Sequence, residues 1–286
     1  MPTSRSTAKD YRRTQLLSTS ENDISTFAYG LIDPSTKKLV RHVNRQGGVK
    51  ATINERFADY DANDSVSFIL PSGAARPTTT AVVSHMYTPG GNVYGVASIG
   101  AQTLTPVMAA AGLDISSDQV DTEGVEIFSN FAGATGSPFV VGYDPAFFFR
   151  VSLTIADASG AAVLIAGFRR AEVNNVTYTS YSDYAAIGLI AGGVAAGAIN
   201  IVYENDASGS PTNTTDTWAD TATKVFEIQV SGAGVITYKN NGAAPTTTLA
   251  GTFDDGDPVI PFVHLVQHGD LSGAVTINSW EVGYQS

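Results

Sequence analysis

The stretch Lys224-Val-Phe-Glu-Ile-Gln-Val230, the turn Ser231-Gly-Ala-Gly234 and the return Val235-Ile-Thr-Tyr-Lys239 decide the fold class. Strict alternation puts Phe226, Ile228 and Val230 on one face and Val225, Glu227 and Gln229 on the other, the period of a half-buried strand. The two runs read as a β-hairpin, and Asn240-Asn-Gly242 turns the chain again. Upstream, residues 147–155 (FFFRVSLTI) are rich in aromatic and β-branched side chains, which favour strands. Asp157-Ala-Ser-Gly160 is a turn, and residues 162–168 are expected to return as the second arm of a hairpin. Residues 184–190 and 199–203 read as buried strands meeting near Gly192-Gly193, followed by a polar loop over 205–223. Residues 259–266 and 274–284 complete about eight strands, a pattern that predicts a two-sheet sandwich.

The N-terminal part is patterned less regularly. Residues 27–33, 39–43, 64–70 and 81–87 read as short strands, residues 90–106 as extended loop, and residues 107–111 as the start of a helical turn ended by Gly112. A boundary near 112–121 divides the chain into a basic arm (1–26), a β-rich attachment region (27–120) and a sandwich domain (121–286). There is no solenoid or propeller repeat and no heptad run.

Composition supports an all-β chain: of 286 residues 43% are hydrophobic and only 15% charged, with 28 Gly and 12 Pro. The absence of cysteine excludes disulfides, thiolate zinc sites and thiol nucleophiles. A net charge of −11 disfavours free nucleic acid as a partner. That charge is unevenly placed: residues 1–60 hold ten basic and six acidic groups, a net of +4, and the remainder a net of −15. Such a basic arm can dock on an acidic surface, with Arg5, Lys9, Arg12 and Arg13 as candidate contacts. No apolar run follows the polar, basic N-terminus, so synthesis in a cytoplasm is expected. Residues 185–202 are uncharged, but they are mostly Ala and Gly, Asn200 interrupts them and acids flank them; no membrane insertion is expected.

The segments FEIQVSGAGVITYKNNG (226–242) and FDDGDPVIPFVHLVQHGDLSGAVTINSWEVGYQ (253–285) resemble the closing strands of concanavalin A-like (laminin G/glucanase-type) jelly rolls. In that family one strand carries G-x-V-x-Y-x-x-N-G, a Gly-Asp turn leads to P-F-V, and the last strand ends in W-E-x-G-x. The resemblance covers about residues 123–286. It implies a jelly-roll sandwich of a kind that recurs in tailed-bacteriophage structural proteins, as capsid decorations, head fibres and tail-fibre modules.

Retaining glycoside hydrolysis needs two carboxyl groups about 5–5.5 Å apart. The glucanases of this architecture carry E-x-D-x-x-E on one strand; here the nearest match, Glu227-Ile-Gln-Val-Ser231, has Gln229 at the middle position, and Glu123 and Glu126 would face opposite ways on a strand. Asp254-Asp-Gly-Asp257 offers Asp254, Asp255 and Asp257 in one turn, hard ligands of a type that suits calcium or simple turn capping. His264 and His268 share strand parity with no third ligand near, short of a zinc site. No nucleophile elbow, P-loop or dinucleotide fingerprint occurs. Tyr178, Tyr181, Tyr184 and Trp218 border or lie in polar loops, where exposed rings could stack on sugars or a partner; Trp280 reads as core.

These readings lead to an expected non-enzymatic virion protein, a capsid decoration or cement protein without cofactor, located on the capsid surface after synthesis in the host bacterial cytoplasm. Its partner would be the major capsid protein or another virion protein, and its assembly a homotrimer suited to local three-fold sites. The alternative is a carbohydrate-binding adhesin module of a head or tail fibre that recognises a host-surface glycan. A third reading is an unusual glycan hydrolase using Glu227 or Glu126.

Overall fold

A computed structural model describes residues 53–60, 64, 66, 85–100, 106–116, 121–129, 138–190, 197–206, 209–269 and 272–285, and the backbone alone of 12–15, 29–32, 39–43, 49–51, 67–69 and 83–84. In chain order its strands are β1 (Arg12–Gln15), β2 (Tyr29–Ile32), β3 (Leu39–Val43), β4 (Val49–Ala51), β5 (Ile53–Arg56), β6 (Ser67–Ile69) and β7 (Val83–Tyr87). They continue with β8 (Val93–Ile99), β9 (Val107–Ala109), β10 (Gly112–Asp114), β11 (Gly124–Phe128), β12 (Phe139–Val140), β13 (Phe147–Ile155) and β14 (Ala161–Arg170). The last seven are β15 (Asp183–Ile190), β16 (Ala198–Asn205), β17 (Thr212–Thr217), β18 (Thr223–Val230), β19 (Ile236–Asn240), β20 (Pro258–Gln267) and β21 (Val275–Tyr284).

Three sheets result. A four-stranded sheet runs β1-β2-β3-β4. A seven-stranded sheet runs β19-β18-β13-β21-β10-β9, with β5 also on β21, and a ten-stranded sheet runs β17-β16-β15-β14-β20-β11-β8-β7-β6, with β12 on β20. The seven- and ten-stranded sheets form an all-β antiparallel sandwich, as the sequence predicts.

Alternation builds the core. On β13 Phe147, Phe149, Val151, Leu153 and Ile155 are buried and join one cluster with Leu164, Ala166 and Phe168 of β14. Aromatic contacts span the two sheets: Phe147 meets Phe168 edge-on at 5.1 Å, and Phe139 stacks on Phe147 at 4.6 Å. Trp280, within 4.5 Å of the Phe149 ring by centroid, is core as expected. The hairpin of β18 and β19 forms in register from Val230 opposite Ile236 to Phe226 opposite Asn240. Strands β15 and β16 pair antiparallel as read.

Several expectations are corrected. β13 and β14 are not a hairpin: β13 pairs with β18 and β21, and β14 with β15 and β20. Between them a single 3-10 turn, Ala158–Gly160, is capped by the Asp157 carboxylate accepting the Ser159 N–H at 2.9 Å, and the chain changes sheets. Each strand then buries its apolar face against the other sheet. Residues 93–99 form strand β8, buried along nearly its whole length. A strand covered on both faces loses the two-residue alternation by which strands are recognised. Residues 107–114 form the hairpin β9–β10 in place of a helical turn, and the polar stretch 205–223 contains edge strand β17. Among the described residues the two sheets of the sandwich hold seventeen strands, and β5 to β10, from the region read as an attachment unit, lie in them. Among the described residues no helix is long and apolar enough to cross a membrane.

Candidate binding site on the outer face of the ten-stranded sheet

The pleat divides the central strands of the ten-stranded sheet into two faces. Val125 and Ile127 of β11, Val263 and Leu265 of β20, and Leu164 and Ala166 of β14 point into the sandwich core. Glu126, His264 and Arg169 therefore stand on the opposite, outer face, beside a second apolar cluster that includes Phe128, Ile165, Tyr184 and Phe262. The segment 171–182, which joins β14 to β15 and contains the short 3-10 turn Tyr178–Ser180, folds over this face as a strap. Its Tyr181 ring meets Phe262 at 6.3 Å, and its Tyr178 ring meets Tyr184 at 5.6 Å and His264 at 6.2 Å.

Under the strap lies a buried polar cluster. Glu126 sits directly opposite His264 in the pairing of β11 and β20. Glu126 Oε1 accepts from Arg169 Nε at 2.9 Å, Arg169 Nη2 at 2.7 Å and Asn174 Nδ2 at 2.9 Å. Oε2 accepts from the Tyr181 hydroxyl at 2.9 Å and lies 3.0 Å from His264 Nδ1. The guanidinium also lies over the Tyr181 ring at 4.3 Å and the Phe128 ring at 5.1 Å. Burial alone would raise the Glu126 carboxyl, but the Arg169 charge and the His264 hydrogen bond outweigh it and hold it below the usual carboxylate range. Burial, with the Glu126 charge added, pushes the Tyr181 hydroxyl well up, so it remains a donor.

An ionised carboxylate can only accept, so His264 Nδ1 carries a proton. In the neutral ring the lone pair then falls on Nε2, the atom farther from Glu126. That Nε2 is buried and has no hydrogen-bond partner among the described residues. His264 lines a depression of about 450 Å³ together with Tyr178, Thr122, Thr177, Val163 and Val266. A buried polar atom without a partner costs about 1–3 kcal/mol.

The sequence-derived candidates fall elsewhere or deeper. Arg5 and Lys9 lie outside the described residues; Arg12 and Arg13 are on β1, opposite Ile32 and Leu31 of β2. Tyr178, Tyr181, Tyr184 and Trp218 are only 7, 1, 0 and 1% exposed, which corrects the picture of open aromatic rings. The Trp218 indole donates to the Ala222 carbonyl at 2.9 Å and packs edge-on against Phe226, so it serves the sandwich core. Asp257 closes its turn by accepting the Asp254 N–H at 3.0 Å, and among the described residues no three His, Cys, Asp or Glu side chains converge on a metal-sized space. Glu227 and Glu126 stand on different sheets and do not share a groove. Glu227 instead takes Arg150 Nε at 2.6 Å and Lys239 Nζ at 2.9 Å. Sequence reasoning singled out Glu126 and His264 separately but not their contact, whose only trace is one polar residue inside each of two apolar strands, Gly-Val-Glu-Ile-Phe128 and Phe-Val-His-Leu-Val266.

No protein-family model and no curated protein matches the sequence. Solved structures similar to it include a β-glucanase from Bacillus licheniformis, at 11% identity and a TM-score of 0.42, covering 82% of this chain and 98% of that one. An alginate lyase from Pseudomonas aeruginosa matches at 14% identity and a TM-score of 0.40, covering 79% and 100%. A galectin from Caenorhabditis elegans matches at 16% identity and a TM-score of 0.30, covering 56% and 96%. What the structure itself shows is an all-β sandwich of two antiparallel sheets. The expectation of a non-enzymatic protein is corrected here: it rested on a missing carboxylate pattern, and the similar structures include a glucanase and an alginate lyase. Fold by itself assigns no activity to this chain.

Proposed function

We propose that this chain binds carbohydrate in the depression over His264. The observation that carries the reading is the depression of about 450 Å³, lined by Tyr178, His264, Thr122, Thr177 and aliphatic side chains, on the outer face of the ten-stranded sheet. A sugar ring is amphipathic: its hydroxyls can pair with the hydroxyls of Thr122, Thr177 and Tyr178, and its C–H faces can pack on the Tyr178 ring and on Val163 and Val266. Glu126 fixes which imidazole nitrogen accepts, so the site is organised before a ligand arrives. The test is calorimetric titration of the full chain with a panel of oligosaccharides, repeated on His264→Leu. Saturable binding by the parent chain, weakened about tenfold or more by that variant, is the expected result. No binding by the parent chain, or equal binding by both, overturns the reading.

A second reading, favoured by the charge division and by the separate four-stranded sheet β1–β4, concerns attachment. In it the basic N-terminal part, with Arg5, Lys9, Arg12 and Arg13, docks the acidic sandwich on a virion surface of a tailed phage as trimers on the major capsid protein. Deleting residues 1–25 should abolish co-sedimentation with particles while the sandwich stays folded. Undiminished particle binding by the truncated chain would refute it.

A further inference from the structure

Resting on the carbohydrate reading, we infer that the depression over His264 takes an uncharged sugar unit bearing a methyl group, as in 6-deoxyhexoses and N-acetylhexosamines, and rejects uronic acids. Charge is the first argument. The one guanidinium beneath the site is spent: Arg169 Nε and Nη2 are on Glu126, Nη1 donates to the Arg170 carbonyl at 2.9 Å, and the side chain has no exposure. The other groups facing His264 are Glu126, already balanced by Arg169, and the Tyr178 and Tyr181 hydroxyls, both held protonated by burial and nearby carboxylates. At the margin stand two further acids. Glu123 lies against Gly100, a lining residue, and the Glu204 charge is felt at Tyr178. A uronate carboxylate would thus stand near two acids, with no free cation lining the depression among the described residues.

Lining is the second argument. Beside His264 the depression is lined by Ile99, Val163, Val176 and Val266, with the hydroxyls of Thr122, Thr177 and Tyr178 as the other side-chain polar groups. Four aliphatic side chains beside three hydroxyls call for a ligand that carries an apolar substituent next to its own hydroxyls. An unsubstituted hexose offers the hydroxyls without the substituent. Burying one methyl group should favour the substituted sugar by roughly fourfold over its plain counterpart.

The experiment titrates the full chain with four probes: a fucosylated oligosaccharide, an N-acetylglucosamine oligomer, a glucose oligomer and an oligogalacturonate. His264→Leu and Val176→Asp are run in parallel; Val176 is 41% exposed, so the second variant does not burden the core. The expected result is binding of a methyl-bearing probe at least fourfold tighter than the glucose oligomer, no uronate binding, and loss of tenfold or more in both variants. Uronate or plain glucose bound as well as the methyl-bearing probes, and lost in His264→Leu, overturns this inference and leaves the carbohydrate reading standing. Binding by none of the probes, or binding untouched by both variants, removes both.

Discussion

The two outer faces of the sandwich carry the same chemical pair in opposite surroundings. On the ten-stranded sheet Glu126 and Arg169 meet at 2.7 Å with side-chain exposures of 1 and 0%. On the seven-stranded sheet Glu227 and Arg150 meet at 2.6 Å, with Arg150 44% exposed and shared with Glu281 at 2.8 Å. The strap 171–182 makes the difference: it brings Tyr181 and Asn174 over the first pair and leaves Glu126 fully hydrogen-bonded in a dry setting. Water reaches Arg150, Lys239 and Glu281 of the second network but hardly Glu227, 4% exposed beneath them, and the four span β19, β18, β13 and β21 as a charged ladder. A carboxylate in the first position can orient a neighbouring imidazole; one in the second holds strand edges together and little else.

The largest effect that would break this contrast is removal of Arg169. Arg169→Met leaves a buried carboxylate without its cation, and the expected loss is about 3–5 kcal/mol in urea unfolding; a loss below about 1 kcal/mol would mean that the strap does not exclude water. Acid should act on the same site. Because Glu126 titrates below its ordinary value in the folded chain, its stabilising contribution is complete above the unfolded value of about 4.3 and is lost as pH falls from there through the lower folded value. Glu126→Gln should therefore flatten the fall of the urea midpoint between neutral and acid pH, and parallel curves for parent and variant would contradict the assigned shift. Glu227, lowered by Lys239 and Arg150 against the opposing effect of burial, contributes in the same direction in both curves. Arg150→Ala is the smallest effect, about 1 kcal/mol or less and shrinking as salt is added. A salt-independent loss of several kcal/mol there would erase the distinction between the two faces.

Legibility from sequence follows the same divide between local and distant information. Strands β13, β18 and β19 are legible almost to their ends because one face of each is apolar and the turns beside them carry Gly, Asn or Asp, and β20, apolar on both faces, is legible as a β-branched and aromatic run after a Gly-Asp turn. Strand β8 is not, since Val93-Tyr-Gly-Val-Ala-Ser-Ile99 is buried on both faces and shows no alternation. Sheet membership of β13 and β14 is not legible, because a short turn fits either a hairpin or a change of sheet. The acid and the imidazole were each visible, yet they are separated by 138 positions, and only the register of β11 on β20 makes them neighbours. The burial of Tyr178 and Tyr181 depends on where the strap lands, and no local pattern encodes that.

The place of β21 has a consequence for how the chain is made. It lies inside the seven-stranded sheet, with β13 on one side and β10 and β5 on the other, and it joins Val282 to Ile53 across more than two hundred positions. The halves of that sheet thus stay unjoined, with open strand edges, until residues 275–284 have left the ribosome. Assembly is then dominated by distant pairings, which places folding at the slow, millisecond-to-second end for β architectures. A nascent chain stalled before residue 275 would present two adhesive edges to its neighbours, making prompt release as important to yield as the stability of the finished sandwich.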